Sequence, residues 1–322
     1  MQYQIQNLLP LVEEAISGFQ FPRSPDSLYD PIRYFMDLPG KRIRPIFVLQ
    51  CLELFRRPEK EDALAALATE LFHNFSLVHD DIMDKADLRR GFPTVHKKWN
   101  EPTALLSGDA LLILAYQALL YSKTLEFKEL LSRFNEMSLA VCEGQQMDMD
   151  FSEMPIVEIS EYMDMIDRKT GALIAFSFEL GGFLGAADPK TRKALHDFGL
   201  LMGRCFQLRD DYLDLFGDEQ KTGKKRGGDI GNSKLTYPVL CAFQHSESSG
   251  FKAIWNDKSM DPEIRIQKTL AWMEANTIPQ LSENKMKQEM EAGMKLLSEV
   301  NGDGLAMQRI QDLCLQLAFR DK

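Results

Sequence analysis

Residues 61–84 read EDALAALATELFHNFSLVHDDIMD. Apolar side chains fall at Leu64, Leu67, Leu71, Phe75, Val78 and Ile82. Steps of three and four residues keep them on one face of a helix, so the stretch predicts a long amphipathic α-helix. It closes on Asp80, Asp81 and Asp84. The pattern returns far along the chain. Leu195, Phe198, Met202, Cys205, Leu208, Tyr212 and Leu215 again keep helix spacing, and Asp210, Asp211 and Asp214 sit at the end of that run. Carboxylates four apart on a helix stand one above the other and repel. A solvated helix end accounts for one such cluster. Two clusters of one pattern predict a neutralising hard cation, and magnesium takes carboxylate oxygens together with waters and phosphate oxygens. The arrangement suits two facing helices of one bundle with metal between them.

Sustained apolar–polar alternation is scarce elsewhere, so little or no sheet is expected. Three regions carry the Pro and Gly of loops: Phe21–Pro39, Ala86–Pro102 and Phe216–Pro238. None has the composition of a linker. The expectation is one all-α domain over residues 1–322, a single large helical bundle.

Thr103–Ser122 carries only Asp109 as a charge, and Gly171–Ala187 only Glu179. Both are read as core helices rather than membrane spans, being rich in Ala and Gly and lacking an extended basic flank. The opening residues lack the basic start and long apolar run of a signal peptide. Five scattered cysteines without CxxC spacing predict neither a disulfide framework nor a zinc site, and fit a cytoplasmic setting. With 48 acidic against 38 basic residues the formal charge is −10, which argues against a nucleic-acid partner. Local cations can still reverse the sign inside one cleft.

Such cations accompany the clusters. Lys41 and Arg44 lie in GKRIRP, and Arg89 and Arg90 follow the first cluster. Lys169-Thr170 precedes the second, and Lys224 and Lys234 follow it. Arg offers phosphate a planar fork and Lys a point charge. His73 lies two turns before the first cluster on the same helix.

GKRIRP, HNFSLVHDDIMDKADLRRGFPTVH, Lys169-Thr170, FQLRDDYLD and GKKRGGDIGNSKLTYP occur in the order Gly40 to Pro238. Together they resemble the trans-prenyl diphosphate synthases. The resemblance implies an all-α bundle around a central cavity, usually in a homodimer. It implies that Asp80 and Asp84 ligate two magnesium ions and Asp210 a third, with Asp81, Asp211 and Asp214 in or near those shells. Arg89, Lys169, Lys224 and Lys234 would hold an allylic diphosphate (dimethylallyl, geranyl or farnesyl). Lys41, Arg44, His73 and Arg90 would hold isopentenyl diphosphate, and Thr170 and Gln207 would lie near the reacting carbons. A class I terpene cyclase shares the first cluster but needs no isopentenyl site, and its second metal motif usually departs from DDYLD. A non-catalytic subunit tends to lose one cluster, whereas this chain keeps both.

Phe75 stands five positions before Asp80 and Phe72 eight before. A large aromatic at the five-before position resembles the short-chain enzymes. The expected product is farnesyl or geranylgeranyl diphosphate, with geranylgeranyl favoured.

Overall fold

A computed structural model describes residues 7–222 and 225–319. Helices dominate it, as the periodicity predicts, and the one sheet among the described residues is a hairpin of two-residue strands, Leu88–Arg89 and Phe92–Pro93. The chain forms two compact units. One gathers the residues up to Leu131 with Ser177–Arg192 and Asn301–Ile310; the other gathers Ser132–Phe176, Lys193–Val300 and the residues from Gln311 on.

In the first unit the helix Lys60–Met83 is the central piece. It starts on a capping box, in which Glu59 and Asp62 each accept the other's backbone N–H. Asp62 also accepts both ends of the Arg56 fork, at 2.6 and 2.7 Å. Of the predicted apolar face, Leu67, Leu71 and Val78 are at most 1% exposed. The helix Glu101–Leu119 packs along it, and Leu9–Gly18 and Ile43–Leu52 also contact it. Gly181 permits another close approach, since a Cβ there would lie 2.5 Å from the Val48 carbonyl oxygen.

Phe21–Pro39 departs from the loop expected there. Asp26–Asp37 is a helix with Pro31 inside it. An internal proline costs about 3 kcal/mol through a lost hydrogen bond and a ring clash. Burial of Ile32, Phe35 and Met36, each 1–2% exposed, contributes roughly 1.5–3 kcal/mol per side chain and outweighs that. Among the described residues, Ala86–Pro102 and Phe216–Pro238 hold the hairpin and short helical turns such as Val95–Lys98 and Gly228–Gly231 before the next helices begin at Glu101 and Tyr237.

In the second unit the segment from Lys193 belongs to the helix Pro189–Phe216. Leu195, Phe198, Met202, Cys205, Leu208 and Leu215 are buried as their spacing predicts. The region beyond Pro238, which carries no motif, supplies packing. Phe243 meets Phe251 and Trp255 edge-on while those two rings stack, all with centroids 5.0–5.8 Å apart, and they share a core with Met273, Ile278 and Met286. The five cysteines are free thiols, four of them buried.

Candidate active site

The first cluster lies where the helix Lys60–Met83 runs out. Asp84 caps it, Lys85 takes a left-handed φ of 53°, and the Ala86 N–H reaches back to the Asp81 carbonyl at 3.0 Å. This six-to-one closure turns the chain sharply into the hairpin. Arg90 and Gly91 form the two-residue hairpin loop, both at positive φ, as a tight right-twisting turn requires. The hairpin folds Arg89 back onto the helix it has just left. Its Nε donates to Asp81 Oδ1 at 3.0 Å, and Nη2 donates to the same oxygen.

Asp81 is 1% exposed, and burial raises its pKa against the opposing pull of Arg89. Its second oxygen, Oδ2, is buried without a hydrogen-bond partner. An orphaned carboxylate oxygen between a half-buried Asp80 and an exposed Asp84 is a donor set that fits magnesium or its bound water. Among the described residues no three His, Cys, Asp or Glu side chains close on one point as a complete metal cage. Such a cage is not what magnesium demands, because water and phosphate usually complete its shell.

Behind the cluster, His73 lies within electrostatic range of Arg44, Arg90, Arg89 and Arg42. Burial, followed by these four guanidinium charges, lowers its pKa well below 6.5, so the imidazole is neutral near pH 7. Arg44 and Arg90 thus share the electrostatic surroundings of His73, whereas Lys41 is an exposed side chain. Gly40 explains part of the approach. A Cβ there would lie 2.8 Å from Arg90 Nη1 and 3.1 Å from Arg42 Nη1.

Arg42 was not among the predicted residues. It is buried, donates to Glu70 at 2.9 Å and to the Met36 and Leu38 carbonyls, and so ties GKRIRP to the cluster helix. Phe75 is 9% exposed and meets Phe72 edge-on at 5.3 Å and His79 at 4.9 Å.

The second unit builds its site on a π-helical turn, Asp167–Gly171, inserted between the helices Ile159–Ile166 and Ala172–Leu184. Such turns displace side chains from the regular α register and are frequent at functional sites. Arg204 holds this one, donating to both oxygens of Asp167 at 2.6 and 2.7 Å. Two glycines let neighbouring helices touch it. A Cβ on Gly144 would lie 2.3 Å from the Lys169 nitrogen, and one on Gly203 would lie 2.5 Å from the Gly171 Cα.

The turn presents Lys169 and Thr170. Lys169 donates to Asp148 at 2.6 Å, and the Thr170 hydroxyl donates to Gln207 Oε1 at 2.9 Å. Gln207 Nε2 in turn donates to Asp211 Oδ1 at 3.0 Å, and the Tyr162 hydroxyl donates to Asp211 Oδ2. Asp211 is 3% exposed, and burial pushes its carboxyl up to about 7 despite those two hydrogen bonds, with the Asp229 and Asp210 charges adding to the rise.

Asp210 is exposed on the same helix end. Asp214 accepts the Asp229 N–H at 2.8 Å, while its own carbonyl accepts from Gly227 at 2.8 Å, so it fastens the glycine-rich loop. Gly228 matters there, because a Cβ would come within 3.0 Å of Asp214 Oδ1. Lys234 is exposed, and Lys224 lies outside the described residues. Tyr162, Asp148 and Asp229 were missed by the sequence reading. Asp148 and Asp229 lay within acidic or loop-like stretches, and Tyr162 precedes the Lys-Thr pair by seven residues with no pattern of its own.

Comparison with known proteins places the chain in a family. The geranylgeranyl diphosphate synthase of Methanosarcina mazei is 38% identical over 243 residues, covering 75% of each chain. The farnesyl diphosphate synthase of Bacillus subtilis is 35% identical over 277 residues, covering 83% of this chain and 91% of its own. A solved structure of geranylgeranyl pyrophosphate synthase superposes with a TM-score of 0.93 at 35% identity, over 100% of both chains. The polyprenyl synthetase family model matches residues 25–271, and the chain is a member of that family.

Proposed function

We propose that the whole chain works as one synthase domain that condenses isopentenyl diphosphate head to tail with an allylic diphosphate. The allylic C1–O bond breaks and its electron pair leaves with diphosphate. The isopentenyl double bond attacks the allyl C1 through its C4, which forms the new C–C bond. A proton then leaves the adjacent C2 to the departing diphosphate, which restores a double bond. The motifs offer no side-chain base for that proton.

The observation that carries this reading is the positive field that Arg44, Arg90 and Arg89 put on a neutral His73, with Gly40 leaving room for Arg90 and Arg42, in the unit that also holds Asp80 and Asp84. Three guanidinium groups beside an uncharged imidazole suit a diphosphate far better than a carbon skeleton. Lys41, Arg44, His73 and Arg90 bind isopentenyl diphosphate. Arg89, Lys169, Lys224 and Lys234 bind the allylic diphosphate. Magnesium, when bound, offsets charge growing on the departing diphosphate. Asp80, Asp84 and Asp210 are its principal ligands, for three ions, with Asp81 and Asp214 beside them. The side chains position both substrates, which lowers the entropic barrier to their meeting.

Phe75 and Phe72 close the chain-length pocket. Their bulk and the geranylgeranyl synthases among the relatives favour geranylgeranyl diphosphate as product. The reading is tested by incubating the purified protein with magnesium, labelled isopentenyl diphosphate and a series of allylic diphosphates. Elongation is expected, and its absence with every primer would sink the proposal.

The enzyme is a homodimer in this reading. Leu105, Leu106, Ile113 and Leu120 are each at least 50% exposed along one side of the helix Glu101–Leu119. Among the described residues this is the one helix long and apolar enough to cross a membrane. Its other side packs on Lys60–Met83. An apolar stripe of that length is suited to a second copy. Sedimentation should give twice the chain mass of 36.8 kDa, and a monomer would refute the dimer. The free cysteines fit a cytoplasmic enzyme.

A further inference from the structure

We infer that Tyr162 and Asp211 are a positioning pair that fixes the direction of the Gln207 amide, and that Asp211 belongs to this pair rather than to a magnesium shell. The inference rests on the prenyl-transfer reading, which puts Thr170 and Gln207 beside the reacting carbons.

A carboxylate oxygen accepts and cannot donate, whereas an amide nitrogen donates and cannot accept. Asp211 Oδ1 at 3.0 Å therefore selects Gln207 Nε2, and this turns Gln207 Oε1 the other way. Oε1 then accepts from the Thr170 hydroxyl at 2.9 Å. Both hydrogen bonds in the chain from Thr170 to Asp211 thus donate toward Asp211. The lone pairs of Thr170 Oγ1 and Gln207 Oε1 remain open to a neighbouring group, while the second hydrogen of Gln207 Nε2 stays at the Asp211 end of the amide. Lone pairs aimed at a developing allyl cation stabilise it and bring no acidic hydrogen near it.

The pair is also rigidly housed. Tyr162 is 2% exposed and Asp211 3%. The Gly171–Gly203 contact sets the Thr170 turn against the Gln207 helix at backbone distance. Both oxygens of Asp211 are engaged by neutral donors, Tyr162 on Oδ2 and Gln207 on Oδ1. Asp81, by contrast, keeps one buried oxygen without a hydrogen-bond partner. The two middle aspartates of one repeated pattern are therefore not equivalent, and the assignment of Asp211 as a ligand by analogy with its neighbours does not follow from its surroundings.

Tyr162→Phe removes one hydroxyl and keeps the ring. In the full-length enzyme it should lower kcat by about 10- to 100-fold, the scale of a modest misplacement of reacting groups, with KM for both diphosphates within about twofold. Asp211→Asn keeps an acceptor for only one of the two donors, Gln207 Nε2 and the Tyr162 hydroxyl, and should also lower kcat. Titration calorimetry of magnesium with inorganic diphosphate supplies a readout independent of turnover. Binding should be unchanged in Tyr162→Phe and Asp211→Asn, and weakened about tenfold or more in Asp210→Asn.

A wild-type kcat in folded Tyr162→Phe overturns the inference. So does Asp211→Asn weakening the calorimetric binding as much as Asp210→Asn does. If Tyr162→Phe does not fold, Asp211→Asn decides by the same two measurements. A wild-type chain that elongates nothing overturns the prenyl-transfer reading itself, whereas an active wild type with indifferent variants overturns this inference alone.

Discussion

The two aspartate clusters share a spacing and a position at the end of an apolar helix face, yet the surrounding residues treat them differently. Asp81 is held by the Arg89 guanidinium, delivered by a hairpin that folds straight back onto the helix. Asp211 is held by a phenol and an amide from Tyr162 and Gln207, groups with no net charge. Asp84 stands exposed at a helix cap, whereas Asp214 is occupied in fastening the loop of Gly227 and Asp229. A repeated sequence motif therefore does not imply a repeated role for each of its residues. Charge compensation is local, and it depends on what the next turn of chain brings back.

The partner of the buried carboxylate offers the largest way to break this contrast. Arg89→Ala leaves Asp81 buried and uncompensated. Loss of one partner of a buried ion pair costs about 3–5 kcal/mol, and the lower end applies because Arg89 is part-exposed and Asp81 can take up a proton. Chemical denaturation should show a fall of about 3 kcal/mol. For Tyr162→Phe the expected fall is about 1.5 kcal/mol, the low end for one hydrogen bond to a charged group, because burial brings the Asp211 carboxyl toward neutrality. Equal losses would mean that the two sites are compensated alike and would remove the distinction.

A second test concerns what precedes each cluster. Five and eight residues before Asp80 stand Phe75 and Phe72, whereas five and eight before Asp210 stand Cys205 and Met202. Only the first-cluster helix presents aromatic bulk at these positions. Phe75→Ala should move the product distribution toward longer chains by a few isoprene units at most, since Phe72 stays beneath it. Chromatography of the labelled products reads this directly. An unchanged distribution removes Phe75 as the floor.

Much of this was legible in the sequence, for physical reasons. Side chains repeating every three or four residues must share a helix face, and the buried faces of Lys60–Met83 and Pro189–Phe216 are the predicted ones. Clustered carboxylates and guanidinium groups announce themselves by charge, and Arg44 and Arg90 lie close enough to His73 to lower its pKa. The loop expected at Phe21–Pro39 failed because local propensity gave way to tertiary burial around Pro31. Tyr162, Asp148 and Arg42 were invisible for another reason. Each acts on a residue distant in sequence, or through a left-handed backbone turn, and neither leaves a periodic trace.

The central claim is that this chain elongates an allylic diphosphate with isopentenyl diphosphate in a magnesium-dependent reaction. The most direct measurement incubates the wild-type protein with labelled isopentenyl diphosphate and farnesyl diphosphate, with magnesium and with a chelator. Labelled geranylgeranyl diphosphate is expected with magnesium and none with the chelator. No elongated product in magnesium with any allylic primer, or elongation that survives the chelator, would contradict it.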